Sequence, residues 1–460
     1  MRSEEHVAIA RPYRTLALTS AVAFVSTLDI SIVIVAFDDM RRSFEASTAA
    51  LSWVLTIYTL VAAALLVPSG RLADRIGARQ TFLVGIGLFT VGSLLSGIAP
   101  NVEILIAARV LQAVGSALQA PASLSLIAEA FTEGRATAVG IWGSVSGLGS
   151  ALGPSIGALI TQNLGWRWVF LINVPLGVAV VVLGVRLLPR TSGKARVEPP
   201  DLLGSALIMF GIASLVLALV QGGDWGWGNA RTVSAAVFGL LLIIALLVHC
   251  ARHASPIIDL RLFRIPSFRW ANGVGFMFPI GFFVQFFGLV RFFESQWHWT
   301  TLQAGLAITP TSAIAAFVTA FAGRIADRYG HRAAMVPGAL LYVAGAAWLL
   351  WRLGPEPDWW GAWMPAAVLL GLGVGLTYAS FNSAAVHALP ADRYGSGSAV
   401  NLTVNRIGGT FGVAIAVALL GLTPTAATYD RLWIVMIISG TITVGLSALI
   451  DTRKYAESGG

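Results

Sequence analysis

The chain has 460 residues, of which 56% are hydrophobic and only 11% charged, with a mean hydropathy of +0.78. Soluble domains carry about a quarter charged residues, so this chain lacks the polar surface of a water-soluble globule and has to meet lipid; disordered and fibrous classes are excluded with it. The formal charge of +8 would suit nucleic acid, but in a membrane protein basic residues first record topology. A single cysteine, Cys250, excludes an intrachain disulfide and any C-x-x-C metal or redox pair.

A membrane-crossing helix needs about 20 apolar residues at about 1.5 Å each. Fourteen stretches qualify: 15–37, 51–69, 81–99, 103–126, 136–160, 168–188, 202–221, 231–250, 270–293, 301–322, 334–352, 363–387, 397–421 and 432–450. Their continuous apolar character predicts helices and not the alternating strands of a membrane barrel. The first stretch is too long for a signal-peptide core and is read as a retained span.

With the N-terminus inside and the sides alternating, 21 of the 30 lysines and arginines fall in cytoplasmic loops. Six fall outside, and three, Arg109, Arg291 and Arg406, lie within spans. This bias predicts a multi-pass protein of the plasma (inner) membrane with both termini cytoplasmic, and it accounts for the charge without nucleic acid. Trp166, Trp168, Trp225, Trp227, Trp297, Trp299, Trp359, Trp360 and Trp363 gather at the outer boundary, where an indole suits the headgroup region.

The most specific feature is a duplicated loop. Gly70-Arg71-Leu72-Ala73-Asp74-Arg75-Ile76-Gly77-Ala78-Arg79 recurs as Gly323-Arg324-Ile325-Ala326-Asp327-Arg328-Tyr329-Gly330-His331-Arg332, identical at seven of ten positions. Eight spans separate the copies, so both fall on the cytoplasmic side, as a parallel repeat requires. The expected fold is all-α: 14 transmembrane helices in two pseudo-symmetric six-helix bundles plus an inserted two-helix hairpin. The first bundle covers 1–188, a linker with two extra spans covers 189–268, and the second bundle with a short cytoplasmic tail covers 269–460.

At these residues the sequence resembles the major facilitator superfamily, specifically its fourteen-span drug/proton antiporter branch. The family loop G-x-L-A-D-R-x-G-R-K is matched by Gly70, Leu72, Ala73, Asp74, Arg75 and Gly77. The fourth-span pattern R-x-x-Q-G-x-G is matched by Arg109, Gln112 and Gly115, with Ala113 in place of a glycine. The fifth-span antiporter pattern G-x-x-x-G-P-x-x-G-G is matched by Gly149, Gly153, Pro154 and Gly157, with Ala158 in place of the last glycine. W-R-W-x-F-x-I-N-V-P is kept entire from Trp166 to Pro175. The first-span pattern L-D-x-T-I-V-N-V-A-L-P keeps Leu28, Asp29, Ile32, Val33, Val35 and Ala36 but departs at Ser31, Ile34, Phe37 and Asp38.

Asp29 lies about two-thirds of the way along its span, where a carboxylate has to be paired, hydrated or protonated. Arg109 is the cation available to hold it, which makes this pair the candidate for proton coupling; the bland alternative is a structural ion pair. Gln112, Gln285, Arg291, Glu294 and Arg406 are candidates for substrate contact or gating. Arg291 and Glu294, three apart, read either as an outer gate or attractor for a cationic substrate, or as an interfacial salt bridge. Arg406 reads as a gate charge or as a structural bond to carbonyls. Gly149, Gly153 and Gly157 leave one helix face as bare backbone, either a flexing seam or simple close packing; the resemblance ties this element to antiport. Gly70, Asp74, Arg75, Gly77, Asp327 and Arg328 form a candidate cytoplasmic latch. Phe276, Phe278, Phe282, Phe283, Phe286 and Phe287 offer an apolar surface, with lipid the expected neighbour of most. His249 and His253 stand four apart, and no metal is expected there.

The implied function is proton-coupled export of small lipophilic or cationic compounds, drug or antibiotic efflux by alternating access. The alternative is a narrow exporter of an endogenous metabolite or amino acid on the same fold. No cofactor beyond the proton gradient is expected, and the chain contains neither the H-E-x-x-H motif of a zinc hydrolase nor the Walker-type loop of an ATP-driven pump. Partners are the small-molecule substrate, protons and membrane lipid, with function as a monomer.

Overall fold

The computed structural model describes residues 2–131, 135–189, 201–253, 256–387, 389, 394–420 and 424–450. Among these residues there is no strand, because in hydrocarbon a helix satisfies every backbone N–H and C=O within its own segment. In chain order the helices are α1 Arg2–Val35, α2 Phe37–Phe44, α3 Thr48–Ile76, α4 Ala78–Gly97, α5 Val102–Ala130, α6 Arg135–Leu164, α7 Trp168–Leu171 and α8 Asn173–Leu187. There follow α9 Leu202–Trp225, α10 Ala230–Arg252, α11 Pro266–Ser295, α12 Thr301–Tyr329, α13 His331–Arg352, α14 Met364–His387, α15 Tyr394–Leu420 and α16 Ala426–Ala448. A π-turn, Trp359–Trp363, leads into α14.

Thirteen helical segments among the described residues are long and apolar enough to cross a membrane. The fifth stretch is a continuous 30-residue helix, α6, but is not one of the thirteen; its many glycines and serines dilute its hydropathy. The sixth stretch is broken into α7 and α8. Local signals set several starts: the Asn101 side chain accepts from Ile104 N at 2.9 Å to begin α5, and Thr300 and Gln303 form a capping box at α12.

Two compact units emerge, Met1–Ala46 with Trp53–Ser205, and Ser47–Ser52 with Ala206–Gly460. Each is knitted by the same device. In the first, a Cβ on Gly92 would meet the Gln112 backbone at 2.6 Å, and one on Gly85 would meet Gly115 O at 2.9 Å, so α4 and α5 touch backbone to backbone. In the second, Gly345 lies against Leu370 and Gly373 against Tyr342, which brings α13 and α14 equally close. Helix α10 is little buried over its span, as suits a segment facing lipid.

The boundary tryptophans divide between protein and surface. Trp166, Trp297 and Trp363 are buried within protein, while Trp168, Trp227 and Trp360 are exposed. The reason for two of them is a carbonyl partner for the indole N–H: Trp297 Nε1 donates to Gly354 O and Trp363 Nε1 to Ala307 O, each at 2.9 Å.

The duplicated loop has one geometric requirement, a residue with positive φ between two helices. Gly77 (φ 100°, ψ 139°) separates α3 from α4, and Gly330 (φ 86°, ψ 155°) separates α12 from α13. Only glycine adopts this region without strain. Gly77→Ala and Gly330→Ala are each expected to lower stability by about 1–3 kcal/mol, read as a fall in thermal unfolding midpoint in detergent. Gly87→Ala, in mid-helix α4 with open space around its Cβ position, should not lower it.

Candidate functional site

Asp29 on α1 has no exposed surface, and Arg109 on α5 is 1% exposed. Arg109 Nη1 donates to Asp29 Oδ2 at 2.6 Å and to Gln112 Oε1 at 2.7 Å, while its Nε donates to the Val54 carbonyl of α3 at 3.1 Å. The guanidinium stands 4.1 Å from the centroid of the Tyr58 ring, with Phe170 on α7 at 5.6 Å. The other carboxylate oxygen, Oδ1, accepts from Gln112 Nε2 at 2.9 Å and from Asn173 Nδ2 at 2.8 Å. Ser93 Oγ on α4 accepts from Gln112 Nε2 at 2.6 Å. A charge that leaves water is tolerable only when paired and hydrogen-bonded on every side, and five helices supply the partners here.

The sequence places these groups by simple spacing. Arg109 and Gln112 lie three apart on α5 and so share a face. Gly115, one further turn along, has its missing Cβ against Phe89 of α4. The R-x-x-Q-x-x-G pattern is therefore one physical unit, two polar side chains plus the gap that lets α4 bring Ser93 to them. Asn173, at the first position of α8, Ser93 and Tyr58 escaped the sequence reading. Asn173 was signalled by the intact Trp166–Pro175 pattern, whereas nothing in the sequence distinguishes Ser93 or Tyr58 from other polar residues in spans.

Gly149, Gly153 and Gly157 on α6 face α1 directly. A Cβ on Gly149 would collide with the Phe24 carbonyl, one on Gly153 with the Ser31 side chain, and one on Gly157 would lie 2.9 Å from Ile32 Cα. Thr27 Oγ1 donates across this seam to Ser146 O at 2.7 Å. Asp29 thus sits on the very segment of α1 that the glycine face grips, and Pro154 is buried beside it.

The remaining candidates do not join this cluster. Gln285 on α11 is buried, and its Oε1 has no hydrogen-bond partner among the described residues. Arg291, 7% exposed, is electrostatically coupled to Glu294 and to Tyr429 of α16, and Tyr429 Oη lies 2.6 Å from Ser295 Oγ. Arg406 on α15 is half-buried near Tyr378, whose hydroxyl donates to Asn405 Oδ1 at 3.0 Å. The phenylalanines of α11 overturn the expected lipid-facing placement. Phe278, Phe286 and Phe287 are buried, Phe276, Phe282 and Phe283 are half-buried, and Phe278 and Phe282 pack against Tyr378 at 6.2 and 5.7 Å between centroids. Ring-to-ring packing inside the unit holds them.

Of the duplicated loop, Gly70 lies against Pro121 and Arg75 and Arg328 are exposed; the side chains of Asp74 and Asp327 lie outside the described residues. Arg79, the last residue of the first copy, donates to Val185 O of α8 at 2.6 Å, a cation on the last turn of that helix as its dipole favours. His249 on the last turn of α10 and His253, just past its end, bring their ring centroids to 4.8 Å.

The family model for the Major Facilitator Superfamily matches residues 19–413. The chain belongs to this superfamily. Over 409 residues it is 31% identical to the multidrug resistance protein Stp of Mycobacterium tuberculosis, covering 87% of this chain and 74% of that protein. Over 402 residues it is 33% identical to the methylenomycin A resistance protein of Streptomyces coelicolor, covering 86% and 83%. Its fold is similar to that of a POT family transporter crystallised with a thioalcohol-conjugated peptide, with a TM-score of 0.68, 17% identity and coverage of 97% and 96%. This superfamily member is a multi-pass membrane protein.

Two outcomes follow from the geometry. Arg109→Gln strands a buried carboxylate and should cost about 3–5 kcal/mol, whereas adding Asp29→Asn should recover much of it; thermal midpoints of the two single variants and the double variant measure this. Gly153→Val should force α1 from α6 and abolish transport while the protein still inserts, checked by flux assay and by membrane-fraction yield.

Proposed function

We propose that the protein is a proton-coupled exporter of small lipophilic or cationic compounds, with Asp29 as the proton-carrying group and Arg109 as its counter-charge. The observation that carries this reading is the buried carboxylate itself. Of the charges buried within the described spans, it is the acid whose partners, a guanidinium and two carboxamides, can hold it ionised and release it on protonation. Protonation removes the charge that Arg109 neutralises. The guanidinium then keeps the Val54 carbonyl, Gln112 Oε1 and the Tyr58 face, so the hold between α1 and α5 loosens without leaving the cation bare. Because α1 also rests on the α6 glycine face, a small shift of α1 is transmitted along that seam.

The reading extends to fourteen spans, α6 being the fifth, in two six-span halves with α9 and α10 inserted, and to residence in the plasma membrane with cytoplasmic termini. The duplicated loops act as the cytoplasmic latch, and the protein works as a monomer. A proton entering down about 100 mV supplies about 2.3 kcal/mol, enough for modest accumulation per proton. The multidrug resistance relative supports a broad substrate range. The relative named for a single antibiotic favours the second reading, a narrow exporter.

Purified protein in liposomes with an acidic lumen is expected to release protons when lipophilic cations are added, and Asp29→Asn is expected to abolish this while substrate binding persists. Unchanged proton movement in Asp29→Asn would remove Asp29 from the coupling role. Response to one compound in a broad panel would select the narrow exporter.

A further inference from the structure

Asn173 is fully buried at the start of α8. Its Nδ2 lies 2.8 Å from Asp29 Oδ1 and 3.4 Å from Ser93 Oγ, and its Oδ1 has no hydrogen-bond partner among the described residues. A buried carboxamide oxygen left without a donor is unfavourable and calls for an explanation. The explanation lies in what Asp29 requires in its two protonation states.

As a carboxylate, Asp29 only accepts, and Arg109, Gln112 and Asn173 all donate to it. As a carboxylic acid it carries an O–H that needs an acceptor. Arg109 has no acceptor to offer. Gln112 is pinned at both ends, its Oε1 by Arg109 Nη1 at 2.7 Å and its Nε2 by Ser93 Oγ at 2.6 Å, so turning it breaks two short bonds. Ser93 Oγ has two lone pairs, and both already face donors, Gln112 Nε2 at 2.6 Å and Asn173 Nδ2 at 3.4 Å. Asn173 can turn over while giving up only the 3.4 Å contact, and its unpartnered Oδ1 then takes the place its Nδ2 held.

Resting on the coupling role of Asp29, we propose that Asn173 is a positioning residue that follows the proton: its carboxamide donates to the Asp29 carboxylate and makes a half-turn to accept from the Asp29 carboxyl. Among the described residues, the charged and titratable side chains around the acid are Arg109 from α5 and, across its guanidinium, Tyr58 from α3. From the other neighbours come Ser93 on α4, the bare glycine face of α6 and Asn173 itself on α8.

The sign of the effect follows. Without a carboxamide at 173 the ionised form keeps two of its three donors, while the protonated form loses its one free acceptor. Protonation becomes harder, and the midpoint for loading the proton moves to lower pH.

The test uses the full-length protein in lipid and follows, by infrared difference spectroscopy against pH, the carbonyl band of the protonated carboxyl that disappears in Asp29→Asn. Asn173→Thr and Asn173→Val have nearly the same shape, but only threonine can both donate and accept. Asn173→Val is expected to titrate about one pH unit lower, a tenfold loss of proton affinity, with Asn173→Thr, whose hydroxyl sits one bond nearer the backbone, between valine and wild type. The pH profile of substrate-driven proton release should shift in the same order.

A midpoint in Asn173→Val at or above that of wild type overturns the proposal. Should the valine variant not fold, wild type with isotope-labelled asparagine decides: the Asn173 carboxamide band must change at the pH where the Asp29 carboxyl appears, and a constant band overturns it. If no Asp29 band titrates, it is the coupling role itself that fails, and the proposal falls with it.

Discussion

A carboxylate with no exposed surface has to be answered by its neighbours, and the first unit of this protein is arranged around that demand. Asp29 receives donors from α5 and α8, and its counter-ion is in turn held by a carbonyl and an aromatic ring of α3. Glycines set the distances: Gly92 and Gly115 between α4 and α5, and Gly149, Gly153 and Gly157 between α6 and α1. Where hydrocarbon supplies no hydrophobic drive between helices, such close contact and the polar bonds it permits are what hold the bundle.

The second unit repeats the packing without repeating the chemistry. On α15, Gly408 and Gly412 meet Phe276 and Ile280 of α11, as the α6 glycines meet α1. The residue opposite Gly92 is Gln112, but the residue opposite Gly345 is Leu370. Two polar pairs of the second unit, Tyr378 with Asn405 and Asn272 with Asn401, form neutral hydrogen bonds beside a packed aromatic cluster. The two units thus share glycine seams and differ in their side chains: the first buries the Asp29–Arg109 ion pair, and the second places neutral hydrogen bonds beside packed rings.

Much of the site was legible because the residue types are so ill-suited to lipid. Asp29 and Arg109 stand out in any apolar run, and the three-residue spacing of Arg109 and Gln112 fixes their common face. The glycine periodicity on α6 announced a close contact but not its partner. Ser93 and Tyr58 were not legible as site residues, since a neutral polar side chain in a span is as often bonded to its own helix, as Thr90 is to Ile86 O. The placement of the α11 phenylalanines was not legible for a related reason. An apolar ring gains the same by leaving water for lipid or for protein, so its composition does not say which.

The sequence by itself determined that this chain crosses a membrane many times as helices, that its loops are duplicated and that a buried acid needs a buried base. Those properties follow from hydropathy, from charge and from the obligation to satisfy the backbone locally, and each can be read within about one helix length. Only the tertiary structure decided which helices meet, and so which neutral groups complete the shell of Asp29. That choice depends on contacts between residues separated by 80, 83 and 144 positions in the chain, where periodicity along a single helix carries no information.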